Sequence, residues 1–258
     1  MGLKINIDKT ISDFKEKGGE TNFLPSLKNI LTYVKDDKNI NKIEHLAYLL
    51  ATAKIEADYS LARWESDYLC GETGEPYKDK PCQKALNYYR STDGKKNYYT
   101  LGTDSKGLPY FGRGLVQLTG EANYKKYGEA IGKNLVANGD LAIEPKNSYN
   151  IASAYMFIPR GKSKKSIFQW VDEGNFENAR LLVGGSSGKW ERVKDVYDFW
   201  LPILKRNSSV TDSSKNKSYK KILGVGLVLL TIGVTGTIIY LTLKKKNKLP
   251  NFLKKVNL

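Results

Sequence analysis

Tyr110-Phe111-Gly112-Arg113-Gly114-Leu115-Val116-Gln117-Leu118-Thr119, running on to Asn123-Tyr124, is the stretch from which the rest of the chain is read. Two glycines flank an arginine directly after two aromatics. Glycine opens backbone conformations closed to residues with a Cβ and lets a chain approach a ligand closely. The composition suits either a site or an ordinary turn into a buried Leu115-Val116-Leu118 segment, and the flanking sequence decides between the two.

Upstream, Leu24, Leu27, Ile30, Leu31 and Val34 have helical spacing, with Asn22 as the cap. A stronger helix follows from about Asn41 to Ala57, its stripe formed by Ile43, Leu46, Ala47, Leu50 and Ala53. His45 lies outside that stripe and reads as a surface residue. Glu56 falls beside Leu49, Thr52 and Ala53, on the margin of the stripe. A carboxylate at the edge of a core is partly desolvated, which favours its protonated form and suits it to donate a proton. Then come Arg63-Trp64-Glu65 and a long polar stretch, Ser66 to Pro109, rich in tyrosines (Tyr68, Tyr77, Tyr88, Tyr89, Tyr98, Tyr99). Rings with a polar tip stack on sugar faces while their hydroxyls bond.

Downstream, Glu121 to Ile131 reads as a helix with Thr119 or Gly120 at its start, and Leu135 to Leu141 as a turn-rich link. Pro145 opens a helix over Lys146 to Phe157 whose apolar set is too wide for one narrow stripe, so it is buried over much of its surface. Ile167 to Val171, Phe176 to Val183 and Trp190 to Leu204 continue the helical pattern, with Gly184-Gly185 as a stop. The fold class is mainly α, with a small β-hairpin allowed between Tyr98 and Phe111. No other segment alternates as a strand does.

The formal charge of +15 is concentrated at one end: residues 1–205 carry 31 Lys and Arg against 26 Asp and Glu, and residues 206–258 carry 11 against 1. A nucleic-acid partner requires a basic face on the folded part, so the pattern argues against one. Residues 206–221 read as a flexible polar linker and 222–243 as 22 uncharged, mainly apolar residues, enough to span a bilayer as one transmembrane helix. Residues 244–258 form a basic tail. Lys220-Lys221 and Lys244-Lys245-Lys246 flank the span, which makes a lipid bilayer the implied partner. No cleavable signal peptide and no myristoylation signal are readable at the N-terminus. Cys70, Cys82 and His45 are the chain's only cysteines and histidine, too few for a four-ligand Cys/His zinc site, and no metal or other cofactor is called for. Cys70 and Cys82 suit a disulfide or two free thiols equally.

These residues together resemble glycoside hydrolase family 19, which comprises chitinases and lysozyme-like endolysins of bacterial viruses. Phe111-Gly112-Arg113-Gly114, Gln117-Leu118-Thr119 and Asn123-Tyr124 look like its central signature, Leu46 to Glu56 like the helix delivering its general acid, and Asn175 to Gly185 like its last active-site segment. The resemblance covers roughly residues 20–205 and implies a lysozyme-like α+β domain over 1–205. It implies an inverting mechanism in which one carboxylic acid protonates the glycosidic oxygen and a second carboxylate activates water. Glu56 falls on the acid position. Glu65 is the choice for the base, with Asp67, Glu72, Glu75 and Asp79 as alternatives, and it requires the helix to end near Ala57 to Ser60 so that the chain folds back. By the same resemblance Gln117 and Asn123 bond sugar, Thr119 holds the attacking water, Tyr124 lines the cleft, and Arg113 and Arg180 orient carboxylates. Ile55, Ala57 and Gly184 depart from the family's pattern. The implied function is a membrane-anchored hydrolase of peptidoglycan glycan strands, of lysozyme or endolysin type and from a bacterial virus. It would sit in a virion membrane or bacterial inner membrane with its catalytic domain facing the wall, and would assemble with other virion or membrane proteins. A non-catalytic glycan-binding protein and a chitinase are the alternatives.

Overall fold

The computed structural model describes residues 3–62, 64, 102–184 and 190–210. Residues 1–211 form one compact unit and 212–258 a second, which lies outside the described residues together with Glu65, both cysteines and the apolar run 222–243. Among the described residues no helix is long and apolar enough to cross a membrane.

The order of elements is β1 (Leu3–Ile5), α1 (Ile7–Glu16), α2 (Leu24–Val34), α3 (Ile43–Ala57), α4 (Glu121–Ile131), a 3₁₀ turn (Gly139–Ile143), α5 (Pro145–Phe157), α6 (Ile167–Asp172), α7 (Phe176–Val183), α8 (Trp190–Asn207) and β2 (Ser208–Val210). The helical reading is reproduced from α2 onward. Asn22 is not the cap of α2: Phe23 occupies that position without a side-chain bond, and Pro25 supplies the preset φ of the first turn. Gly120, not Thr119, stands at the N-cap of α4.

Helix α3 is the axis of the domain. Every residue from His45 to Ala53 is buried, so it has no solvent face. Ala47, Ala51 and Ala53 let neighbours approach closely, while Leu46, Leu49 and Leu50 at 0 % exposure fill the gaps, each contributing about 2 kcal/mol by burial. Helix α8 lies along α3, and α5 and α6 cover other sides. A helix enclosed this way shows no single stripe, which is why its sequence pattern looked narrower than its buried surface.

His45 corrects the surface assignment made from the pattern. Its ring stacks on Phe168 of α6 at 4.2 Å, and Nε2 lies 3.0 Å from Asp172 Oδ1, whose other oxygen accepts from Lys42 Nζ. Burial lowers the His45 pKa below its ordinary 6.5, although Asp172 pulls the other way and Lys42 and Glu44 act more weakly. The neutral ring is therefore favoured in the folded state. Its contribution is full above pH 6.5 and is lost as pH falls through the folded value. Because His45 is the chain's one histidine, the thermal midpoint of the domain is expected to fall between pH 7.5 and 5. In His45→Phe, which keeps the stack, a scanning-calorimetry series should show that fall largely gone.

The short sheet was not legible, since three-residue strands are too short to show alternation. Strand β1 pairs antiparallel with β2, placing Lys4 opposite Ser209, and so joins the two ends of the unit. Asp13 of α1 reinforces the junction by accepting from Asn207 Nδ2 at 2.8 Å and Arg206 Nη1 at 3.2 Å. Ordered structure thus continues past residue 205, into the segment read as linker.

Candidate active site

Helix α3 ends one residue after Glu56 because Asp58 and Tyr59 both adopt left-handed backbone, with φ of 47° and 63°. Their amides return to Lys54 and Ala53 carbonyls at 3.1 and 3.0 Å and close the helix. Neither residue is glycine, so the turn is strained, and anchoring of Tyr59 offsets that strain. Its hydroxyl accepts from Trp200 Nε1 at 2.8 Å, and its ring meets Phe14 and Trp200 edge-on. The chain then turns back. Trp64 forms an isolated antiparallel bridge with Arg113, bringing the segment that follows the acidic helix end onto the glycine stretch.

Glu56 is 20 % exposed and its Oε1 accepts from Arg180 Nη1, a side chain only 3 % exposed. Arg180 comes from α7, where Asn175 caps the start by accepting from Asn178 N. Gly184 stops that helix at φ 95°, a left-handed position that Asn also tolerates, which gives a backbone reason for glycine there. Ala57 is buried and Ile55 packs against the core, so these two departures from the family pattern serve packing. Around the ion pair lie Thr52 and Tyr48, one and two turns back along α3, and Tyr155 and Arg160. Burial pushes the hydroxyls of Tyr48 and Tyr155 above their ordinary value of 10, partly opposed by Arg180 and Arg160. Arg160 lies over the Tyr155 ring at 3.5 Å and donates to Tyr127 Oη and the Tyr155 carbonyl. The sequence did signal Tyr48 and Thr52: together with Glu56 they recur every four residues and so share one helix face.

The glycine stretch forms a second cluster with a different character. Arg113 is 1 % exposed, with its guanidinium carbon 4.1 Å from the Phe111 ring centroid, 5.2 Å from Trp64 and 5.5 Å from Tyr124. Nη1 donates to Tyr124 Oη at 2.7 Å and to the Pro109 carbonyl at 3.2 Å, and Nη2 lies 3.3 Å from Asp140 Oδ1. Tyr124 is 0 % exposed and donates to the Phe111 carbonyl; burial, against Arg113, pushes its pKa up to about 12. Arg113 and Tyr124, expected from the resemblance on the substrate side, thus lie buried, where they brace the glycine stretch. Arg113 does orient a carboxylate, but that of Asp140, which the sequence did not single out.

Gln117, Thr119 and Asn123 remain on the accessible side. Gln117 is half-buried at φ 49° with Nε2 on the Gly114 carbonyl, Thr119 Oγ1 donates to the Gln117 carbonyl at 2.9 Å, and exposed Asn123 donates to the Thr119 carbonyl at 2.8 Å. Backbone bonds between Arg113 and Leu118 in both directions pinch this loop. Gly114 makes the pinch possible: φ is 72°, and a Cβ there would stand 2.7 Å from Ser148 Oγ and 2.9 Å from the Ala142 carbonyl. Gly114→Ala is expected to cost about 2–4 kcal/mol by strain plus overpacking. Gly132→Ala, also at positive φ (67°) but with open space around it, should cost about 1 kcal/mol. Urea unfolding midpoints of the two variants provide the check. Glu65 and its alternatives Asp67, Glu72, Glu75 and Asp79 lie outside the described residues, as do the tyrosines of the long polar stretch up to Tyr99. Among the described residues no group of three or more His, Cys, Asp or Glu is placed to hold a metal ion.

Residues 59–179 match the family of glycoside hydrolase 19 described as chitinase class I. That range takes in the glycine stretch and stops just short of Glu56 on one side and Arg180 on the other. The chain is 41 % identical over 80 residues to acidic endochitinase Q of Nicotiana tabacum, covering 29 % of this chain and 32 % of the relative. It is 43 % identical over 56 residues to an acidic endochitinase of Petunia hybrida, covering 21 % and 22 %. The chain thus spans at most about a third of the curated relatives it matches. Chitinase C from Streptomyces griseus HUT6037 shares the fold at a TM-score of 0.51 and 18 % identity, over 78 % of this chain and 76 % of that one. The likenesses support a glycoside hydrolase: residues 59–179, a little under half of the chain, are similar to the chitinase class I family of glycoside hydrolases.

Proposed function

We propose that this chain hydrolyses a chitin-like polymer of β-linked amino sugars, with Glu56 as general acid. The observation that carries the reading is Glu56 itself: a half-buried carboxylate at the end of an enclosed helix, paired with the buried Arg180 and bordering the family-matched segment. The names of the relatives favour chitin over other glycans. In the proposed step Glu56 gives its proton to the glycosidic oxygen as the bond to the anomeric carbon breaks. A water, deprotonated by a second carboxylate for which Glu65 is our choice, attacks the opposite face and inverts the anomer. Gln117, Thr119 and Asn123 are proposed to bond sugar and the attacking water. The test is release of reducing sugar from N-acetylglucosamine oligomers with the first product's anomer followed by NMR; a retained anomer would contradict the scheme.

A second reading keeps the chemistry and changes the polymer to the glycan strand of peptidoglycan, in a viral or bacterial membrane. The apolar run 222–243 with lysines on both flanks favours it, since an anchor confines a hydrolase near a wall. Faster turnover of purified peptidoglycan than of chitin oligomers, together with resistance of the full chain to alkaline extraction from membranes, supports that reading. Binding of either polymer without turnover would instead indicate a glycan-binding protein.

A further inference from the structure

A general acid must hold a proton, yet in this structure Glu56 is engaged by the cation of Arg180. Arg180 is 3 % exposed, so when the pair opens, its guanidinium needs other acceptors inside the protein. Residues 48, 52 and 56 lie on one stripe of α3, successive members about 6 Å apart along the axis. Tyr48 Oη, Thr52 Oγ1 and Arg180 Nε are buried, Arg180 Nε has no hydrogen-bond partner among the described residues, and the two hydroxyls have at most each other. Arg180 and Thr52 both act on the Tyr48 hydroxyl, and the Tyr48 ring lies 5.9 Å from Phe176 on the helix that carries Arg180. Two oxygens able to accept and a donor with nothing to bond thus share one buried neighbourhood.

We propose that Tyr48 and Thr52 are positioning residues that receive the Arg180 guanidinium while Glu56 is protonated, and release it to Glu56 as the proton leaves. This rests on the reading of Glu56 as the acid. With the carboxylic acid neutral, Arg180 donates to the two hydroxyl oxygens. As the proton passes to the glycosidic oxygen and charge grows on Glu56, Arg180 returns to it, so the ion pair forms with the transition state. The proton is restored from water after the product leaves. Other charged and titratable groups facing this space are Arg160, in the turn after α5, and Tyr155 of α5. Lys54 of α3 is taken up by Glu20 at 2.7 Å and Asp58 at 3.0 Å.

The test uses the full chain, N-acetylglucosamine hexamer as substrate, and the isosteric Tyr48→Phe/Thr52→Val double variant. Without the two acceptors Arg180 stays on Glu56. The expected result is a fall in kcat of about tenfold or more, KM within about twofold, and a basic limb of the kcat–pH profile moved to lower pH; Thr52→Ser alone keeps wild-type behaviour. A merely structural role would lower stability and leave that limb in place. Independently of turnover, the Arg180 Nε–H resonance is expected to shift in Glu56→Gln, which mimics the neutral acid, and to lose that shift when Y48F and T52V are added. An unchanged kcat and pH profile in an active enzyme, or an Arg180 resonance indifferent to the two hydroxyls, would overturn the proposal. A wild-type chain inactive on every glycan counts against the hydrolase reading, while the resonance still decides the role of Tyr48 and Thr52.

Discussion

Glu56→Gln is expected to lower reducing-sugar release by about 10²–10⁴-fold, the range for losing a positioned general acid, with KM little changed. The glutamine amide cannot donate a proton of the required acidity, but Arg180 keeps neutral oxygen acceptors in the hydroxyls of Tyr48 and Thr52 and in the new amide, so the fold is expected to persist. Glu56→Ala removes the acceptor as well and leaves a buried guanidinium unpaired, which should cost about 3 kcal/mol. Assaying activity and urea stability of both variants separates the chemistry of Glu56 from its structural pairing. Near wild-type turnover in the glutamine variant would remove Glu56 from the acid role.

Arg113→Ala carries the second large effect, and it acts through stability. The substitution empties the space among Trp64, Phe111 and Tyr124, strips the donor from Tyr124 Oη and the Pro109 carbonyl, and leaves Asp140 without its 3.3 Å partner. Asp140 keeps some contact with water, at 24 % side-chain exposure, so the cost is set near the low end for breaking a buried pair, about 3 kcal/mol. For a domain of this size that is a fall of about 6–12 °C in thermal midpoint. Arg113→Lys is expected to recover little, because an ammonium cannot lie flat among three rings and bond in a plane. If Arg113 instead bound sugar, its loss would raise KM and leave the midpoint alone; calorimetry beside steady-state kinetics distinguishes the two.

Much of the scaffold was legible from periodicity. Helices α2 to α8 follow apolar spacing and breakers within a few residues, since those signals are local. The end of α3 was expected only through the family resemblance, in which a second carboxylate just downstream needs a turn near Ala57 to Ser60, and the helix does end there, at Asp58-Tyr59. Strands β1 and β2 were not legible, because their pairing spans nearly the whole folded unit and leaves no local trace.

By itself the sequence determined a mainly helical domain, a glycine-pinched loop, an acidic helix end and a basic, apolar C-terminal stretch, since these depend on local spacing and residue type. The tertiary structure decided which polar side chains meet. It seals Arg113 and Tyr124 inside a brace with Asp140, buries His45 against Phe168, and brings Arg180 to Glu56. Whether a side chain reaches a ligand or only supports one depends on which elements pack over it, and those elements are distant in the chain.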